Sequence, residues 1–259
     1  MTPKQRINYI TRWIKSYATK HKIKTLVVGV SGGIDSAVVS TLCARTGLPT
    51  IAVSMPIHQS AATHSLSMAH GSWLAENFDN ARHHQVDLTP TFRKFEQCFP
   101  SGSQLAFANS RSRLRMMCLY QIAQDEAGIV VGTGNRVEDF GVGFFTKYGD
   151  GGVDISPIGD CMKTDVWAMG QELGVMQDII DAAPTDGLWA DGRTDEDQLG
   201  MTYPELEQAM KLDLSYNDEI EIKSLDKTQR TQLRRYQEIR SRNMHKMQPI
   251  PVCTFDDKS

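Results

Sequence analysis

Between a short apolar run and the start of a helical pattern the chain reads Gly29-Val30-Ser31-Gly32-Gly33-Ile34-Asp35-Ser36. Glycines there let the backbone turn tightly, and a helix amino terminus presents unpaired N–H groups and the positive end of its dipole. Phosphate suits such a place. Ser31 and Ser36 would add hydroxyl donors, and Asp35 in the first turn could hold a Mg²⁺ that bridges phosphates. The string is neither a Walker A loop, since no Gly-Lys-Ser/Thr follows, nor the G-x-G-x-x-G dinucleotide fingerprint. A plainer reading is a tight turn in which Ser31 caps the helix and Asp35 complements its dipole.

Other residues are weaker signals alone. Glu138 follows a strand exit, where a glutamate is most often solvated, and Lys147 and Lys163 could be surface lysines. Arg111 and Arg115 share a helical face while Arg113 points about 200° away, so the three cannot meet one ligand. His58, His64 and His70 recur every six residues, about 240° of helical rotation, which does not make a shared metal face. His83-His84 is expected to be exposed. Cys161 near Lys163 has no positioned base in sequence and reads as inert.

Elements that would position these residues follow from periodicity. Lys24–Val30 is a β-branched run suited to a strand buried on both faces, and Ile34–Ala44 has helical spacing. A strand at Thr50–Met55, a helix from about Ser60 to Phe78, a weaker strand at Arg82–Val86, a helix at Ser103–Asp125 and a strand at Gly128–Thr133 continue the alternation. That order gives an α/β class with a parallel sheet, ligand lying at the carboxyl ends of the strands. After Gly134 a glycine-rich stretch with embedded Phe, Lys, Tyr and Asp reads as a long functional loop. Pro184–Gly200 reads as a second loop, acidic at Asp191, Asp195, Glu196 and Asp197, and the last helix, about Asp226–Met244, is basic.

The composition sets outer bounds. The 259 residues carry 28 Lys+Arg and 31 Asp+Glu, a formal net charge of −3, which argues against a nucleic-acid coat. No window has the apolar length of a membrane helix, and the first twenty residues lack a signal core. Five widely spaced cysteines without C-x-x-C suggest reduced thiols and a cytoplasmic protein.

The S-G-G-x-D-S string resembles the pyrophosphatase loop of the ATP-pyrophosphatase enzymes. Gly132-Thr133-Gly134-Asn135-Arg136-Val137-Glu138, the run Gly143-Phe144-Phe145-Thr146-Lys147-Tyr148-Gly149-Asp150-Gly151-Gly152-Val153-Asp154, then Pro157 and Lys163, is similar to ammonia-dependent NAD synthetase. So are Arg113-Leu114-Arg115-Met116, Ala183-Pro184-Thr185 and Thr194 to Gly200. The resemblance implies a Rossmann-like parallel sheet with helices on both faces, of the adenine nucleotide alpha-hydrolase type. It implies one domain over residues 1–259, mobile loops at about 78–90 and 186–202, a basic helix at 226–246, and a cytoplasmic homodimer without a membrane or nucleic-acid partner.

The implied reaction joins deamido-NAD and ammonia at the expense of ATP, giving NAD, AMP and pyrophosphate through an adenylated nicotinate. Carried over by residue, Gly29, Val30, Ser31, Gly32, Gly33, Ile34, Asp35, Ser36, Thr133, Lys163 and Thr185 would bind ATP. Asp35 and Glu138 would hold Mg²⁺. Arg113, Lys147, Asp154, His245 and Lys246 would hold deamido-NAD. Asp150 would orient ammonia or take its proton, and Lys163 would neutralise phosphate charge. A glutamine-using enzyme would need an added amidase domain, so the length favours free ammonia. The basic helix (Arg230, Arg234, Arg235, Arg240, Arg242, His245, Lys246) is expected to act as a lid whose end folds over an anionic dinucleotide. The alternatives are a GMP-synthetase-like or tRNA-modifying relative and a nucleotide-binding regulator without catalysis. One departure stands out: Asp-Phe-Gly-Val between Glu138 and Gly143 is one residue longer than in some bacterial members.

Overall fold

The computed structural model describes residues 1–58, 61–185, 194–215, 222 and 224–255. Four parallel strands form one sheet: β1 (Thr25–Gly29), β2 (Thr50–Ser54), β3 (Ala81–Gln85) and β4 (Gly128–Val130), in the order β3-β2-β1-β4. Strand order reverses beside β1, so the crevice at its carboxyl end lies at a topological switch point.

Side chains alternate across the sheet, as a pleated strand requires. Leu26 and Val28 face α1 (Pro3–Lys20), α2 (Ile34–Ala44) and α6 (Lys163–Leu173). Val27, Ile51 and Val53 face α4 (Thr89–Gln97) and α5 (Gln104–Asp125). Ala52 meets Leu74 of α3 (Ala61–Asn77). The expected α/β class with helices on both faces is therefore what the chain forms. Thr2 opens α1 with a capping box to Gln5, and Arg6 ties that helix to Asp165 of α6 at 2.8 Å.

A helical layer completes the fold beyond the sheet. A seven-residue π-helical turn (Arg136–Val142) follows β4, and after α6 come α7 (Gln177–Ile180), α8 (Asp195–Leu199), α9 (Tyr203–Ser215) and α10 (Lys227–Met247). Val137, Val142, Tyr203, Leu206 and Tyr236 give this layer its own core.

Several expectations need correction. The span 78–90 is not a loop throughout: as the weak strand expected at Arg82–Val86 has it, residues 81–85 form β3, their backbone satisfied by parallel pairing to β2. In the span 186–202, residues 186–193 with Asp191 lie outside the described residues, while 195–199 form α8, started by a Thr194–Asp197 capping box and ended by Gly200. β4 stops at Val130; Val131 N still donates to Val27 O at 2.8 Å, and Val131 forms an isolated bridge to Ile155. The long glycine-rich stretch begins as the π-helical turn. His83 is half-buried, its Nε2 2.8 Å from Ser54 Oγ.

Candidate active site

The phosphate-loop candidate leaves β1 and enters α2, whose first cap residue is Gly33 with no side-chain cap bond. The capping role considered for Ser31 is therefore not taken up. Its Oγ accepts from Gly33 N at 3.2 Å within the loop instead. Gly32 sits at φ +91°, where a Cβ would be strained. The peptide joining Val30 to Ser31 is held on both sides: Ser67 Oγ donates to Val30 O at 2.9 Å, and Ser36 Oγ accepts from Ser31 N at 3.2 Å. With helix N–H groups uncapped and the loop pinned, the end of α2 is arranged for an anion.

That loop forms one wall of a cavity of about 870 Å³. Gly29 through Ser36, Thr133, Glu138, Lys163 and Thr185 line the end at the phosphate-loop candidate. Arg113, Lys147, Asp150, His245 and Lys246 line the other. Asp154 is not among the lining residues; it accepts from Val130 N at 2.8 Å and from Tyr120 O–H at 3.1 Å. Arg113 Nε donates to Lys147 O at 3.2 Å, Arg115 Nε to Met55 O at 3.0 Å, and Arg111 lies over the Phe92 ring.

Lys163 is the centre of the loop end of the cavity. It is 2% exposed at the amino terminus of α6, where a cation opposes the helix dipole. Two carboxylates from distant elements overcome that: Nζ lies 2.5 Å from Asp35 Oδ2 and 2.8 Å from Glu138 Oε1. Burial alone would lower the lysine pKa, yet both carboxylates outweigh it and the pKa is raised. For Asp35 burial dominates, with the Glu138 charge adding to it against the pull of Lys163, and its pKa is raised. For Glu138 burial is outweighed by Lys163 and by hydrogen bonds from Lys163, Tyr203 and Asn135, and its pKa is lowered. The two carboxylates outnumber the one ammonium, and the only atoms of the cluster able to ligate a cation are carboxylate oxygens. That donor set fits a hard divalent cation whose remaining ligands are phosphate oxygens.

At the other end Asp150 Oδ1 accepts from Ser112 Oγ at 2.6 Å and Thr146 N at 3.1 Å. Its second oxygen makes no hydrogen bond among the described residues. Lys246 Nζ donates to Phe145 O at 2.9 Å, and Lys147 Nζ to the His245 carbonyl at 3.4 Å, so the end of α10 is latched to the loop that carries Asp150.

A family model described as NAD synthase matches residues 6–250 of this chain. The chain belongs to the NAD synthase family. Membership makes it a ligase of NAD synthesis that forms a C–N bond. The NH(3)-dependent NAD(+) synthetase of Mycoplasma pneumoniae is 37% identical over 206 residues, spanning 78% of this chain and 80% of that one. The protein of the same description from Archaeoglobus fulgidus is 32% identical over 251 residues, 97% of each. A solved structure of NMN synthetase from Francisella tularensis superposes with a TM-score of 0.85 at 31% identity, covering 98% of this chain and all of that one.

Four residues of this NAD synthase family member escaped the sequence reading. Tyr203 O–H donates to Glu138 Oε1 at 2.5 Å, and its ring lies 4.8 Å from Lys163 Nζ. Asn135 Nδ2 donates to Asp35 at 3.1 Å while its Oδ1 accepts from Val137 N and Glu138 N, which joins the two carboxylate-bearing segments. Ser112 fixes Asp150. Asp139 lines the cavity, its carboxylate without a hydrogen-bond partner among the described residues; burial and the charges of Asp150, Glu138 and Asp35 raise its pKa. Gly134 makes room for it, since a Cβ there would lie 1.8 Å from Asp139 Oδ2. Only the capping habit of Asn135 had a sequence signal.

Proposed function

We propose that this chain amidates deamido-NAD with ammonia, using ATP and Mg²⁺ and releasing AMP and pyrophosphate. The observation that carries the reading is one continuous cavity with an uncapped phosphate loop and the Lys163–Asp35–Glu138 cluster at one end and Arg113, Lys147, His245 and Lys246 at the other. Two anions have to meet there, and cations line both ends.

A nicotinate carboxylate resists nucleophiles because its charge and resonance repel them. Its oxygen therefore attacks the α-phosphorus of ATP, the bond to the bridging oxygen breaks, and pyrophosphate leaves. Ammonia then adds to the activated carbonyl, loses a proton, and AMP leaves with the former carboxylate oxygen. Gly32 and Gly33 hold phosphate through the backbone, with Thr133 and Thr185 contacting ATP. Lys163 offsets charge as pyrophosphate departs. Asp35 and Glu138 would hold the Mg²⁺, which supplies charge neutralisation on phosphate oxygens. Arg113, Lys147, His245 and Lys246 grip the acceptor, with Asp154 at its outer edge, and Asp150 orients ammonia through its free oxygen.

Exposed Leu105, Met117 and Tyr120 along α5 support a homodimer, and five free thiols support a cytoplasmic location. The Francisella tularensis structure supports a second reading, in which the carboxylate belongs to a nicotinate mononucleotide. The test is incubation with ATP, Mg²⁺ and ammonium plus either acceptor, with assay of AMP, pyrophosphate and pyridine nucleotide amide. Turnover of deamido-NAD at the higher kcat/KM upholds the main reading; preference for the mononucleotide selects the second; ADP as product contradicts both. Asp150→Asn is expected to keep adenylate formation and slow amination, read by rapid quench.

A further inference from the structure

The Asp-Phe-Gly-Val between Glu138 and Gly143 lies in a π turn, a wide and sparsely used helix form frequent at functional sites. Its carboxyl end leaves carbonyls that the turn cannot satisfy itself. Glu138 O accepts from Gly143 N and from Phe144 N at 2.8 Å. The next carbonyls turn to α10: Phe140 O accepts from Arg240 Nη1 at 2.6 Å, Gly141 O accepts from the same nitrogen, and Val142 O accepts from Asn243 Nδ2 at 2.9 Å.

Arg240 and Asn243 are three apart and so share a face of α10. A guanidinium at the negative end of the turn also complements its dipole. Arg240 is thus committed to backbone carbonyls, and Arg242 pairs with Glu238, which removes both from the cationic lid expected of this helix. The same helix ends in His245 and Lys246 at the acceptor end of the cavity, while the turn it caps carries Glu138 and Asp139.

We propose that Arg240 is a positioning residue: by capping the π turn it aims Glu138 at Lys163 and couples acceptor binding at the end of α10 to seating of the metal-ligating carboxylate. The proposal rests on the function proposed above. Binding free energies of two ligands coupled through one element are reciprocal, so acceptor and metal tighten each other.

The test uses the full chain with Mn²⁺ and α,β-methylene-ATP, the bound metal read by electron paramagnetic resonance with and without deamido-NAD. In the wild-type protein deamido-NAD is expected to tighten Mn²⁺ binding. Arg240→Met should weaken Mn²⁺ by about tenfold, the size of one lost charge-assisted hydrogen bond, and abolish the coupling. Arg240→Lys should recover part of both. Arg242→Met, at an exposed surface pair, should change neither. Wild-type Mn²⁺ affinity and coupling in Arg240→Met, even with a lower melting temperature, overturn the proposal. Should Arg240→Met fail to fold, Asn243→Ala and Arg240→Lys carry the same reading, and unchanged coupling in both overturns it. A wild-type protein that forms no amide product contradicts the proposed function instead, since Mn²⁺ binding is read independently of turnover.

Discussion

At the scale of single residues the decisive feature is a buried lysine that nothing in its local sequence marks. Lysine is almost never fully buried unless paired, and the partners of Lys163 lie 128 and 25 residues away in sequence. Its removal leaves two buried carboxylates facing each other, a change that costs about 3–5 kcal/mol when one member of a buried ion pair is lost. Lys163→Met is therefore expected to melt many degrees lower by calorimetry, and Asp35→Asn with Glu138→Gln in the same chain to restore stability without restoring turnover. His70 makes a second case. Ser40 Oγ donates to Ser36 O at 2.7 Å, so His70 Nε2–H donates to Ser40, and Nδ1 is left buried without a partner. Burial, helped by His83, lowers the His70 pKa to about 4. The unfolded chain then binds more protons than the folded one between about pH 6.5 and 4, so this contribution is intact above 6.5 and is lost as pH falls through that window. A shift of that size is worth about 3 kcal/mol. The melting temperature of His70→Gln, which cannot charge, should fall less steeply across that window than that of the wild-type protein; equal slopes would assign the loss to other groups.

Among elements, those that carry local periodicity were legible and those defined by distant pairing were not. β1, β2 and α2 announce themselves by apolar runs and a glycine turn, and α2 starts and ends where the pattern puts it. The strand β3 reads Ala-Arg-His-His-Gln and depends on β2 for its definition, which is why it was only weakly legible at Arg82–Val86 and its surroundings read as a loop. The π turn was visible only as one surplus residue, a signal that a bulge or a longer loop gives equally. α8 lies in the stretch read as an acidic loop and is held by Tyr203, whose N and O–H bond Glu196 and Asp195, while α9 is anchored to distant segments by Glu207 on Thr164 and Tyr203 on Glu138. The phosphate loop was legible as a motif, but its mounting was not. Ser67 Oγ can only donate to Val30 O, so Ser54 Oγ, 2.6 Å away, donates to Ser67 and in turn accepts from His83 Nε2–H. A directed chain thus runs from β3 through β2 and α3 to the Val30 carbonyl of the loop. Ser67→Ala breaks it and leaves that carbonyl unpaired, at a cost of about 1–3 kcal/mol. The expected signature is a raised KM for ATP with the KM for deamido-NAD unchanged; equal changes in both would make the role of Ser67 general packing.

The whole molecule divides charge more sharply than its net −3 suggests. Cations gather along one cavity between the sheet and the outer helical layer, while α8 opens with three acidic residues at its favourable amino end. No helix among the described residues is long and apolar enough to cross a membrane. The family resemblance legible in the glycine-rich run agrees with the family match and the α/β sheet, and the cavity joins nearly all the residues that resemblance nominated, Asp154 excepted. In the proposed reaction this cavity joins a carboxylate oxygen to the α-phosphorus of ATP. Deamido-NAD labelled with ¹⁸O in its nicotinate carboxylate, turned over with ATP and ammonium, tests it by mass spectrometry of the products. One ¹⁸O per AMP and none in pyrophosphate is the predicted result; label in pyrophosphate or orthophosphate, or unlabelled AMP, would contradict it.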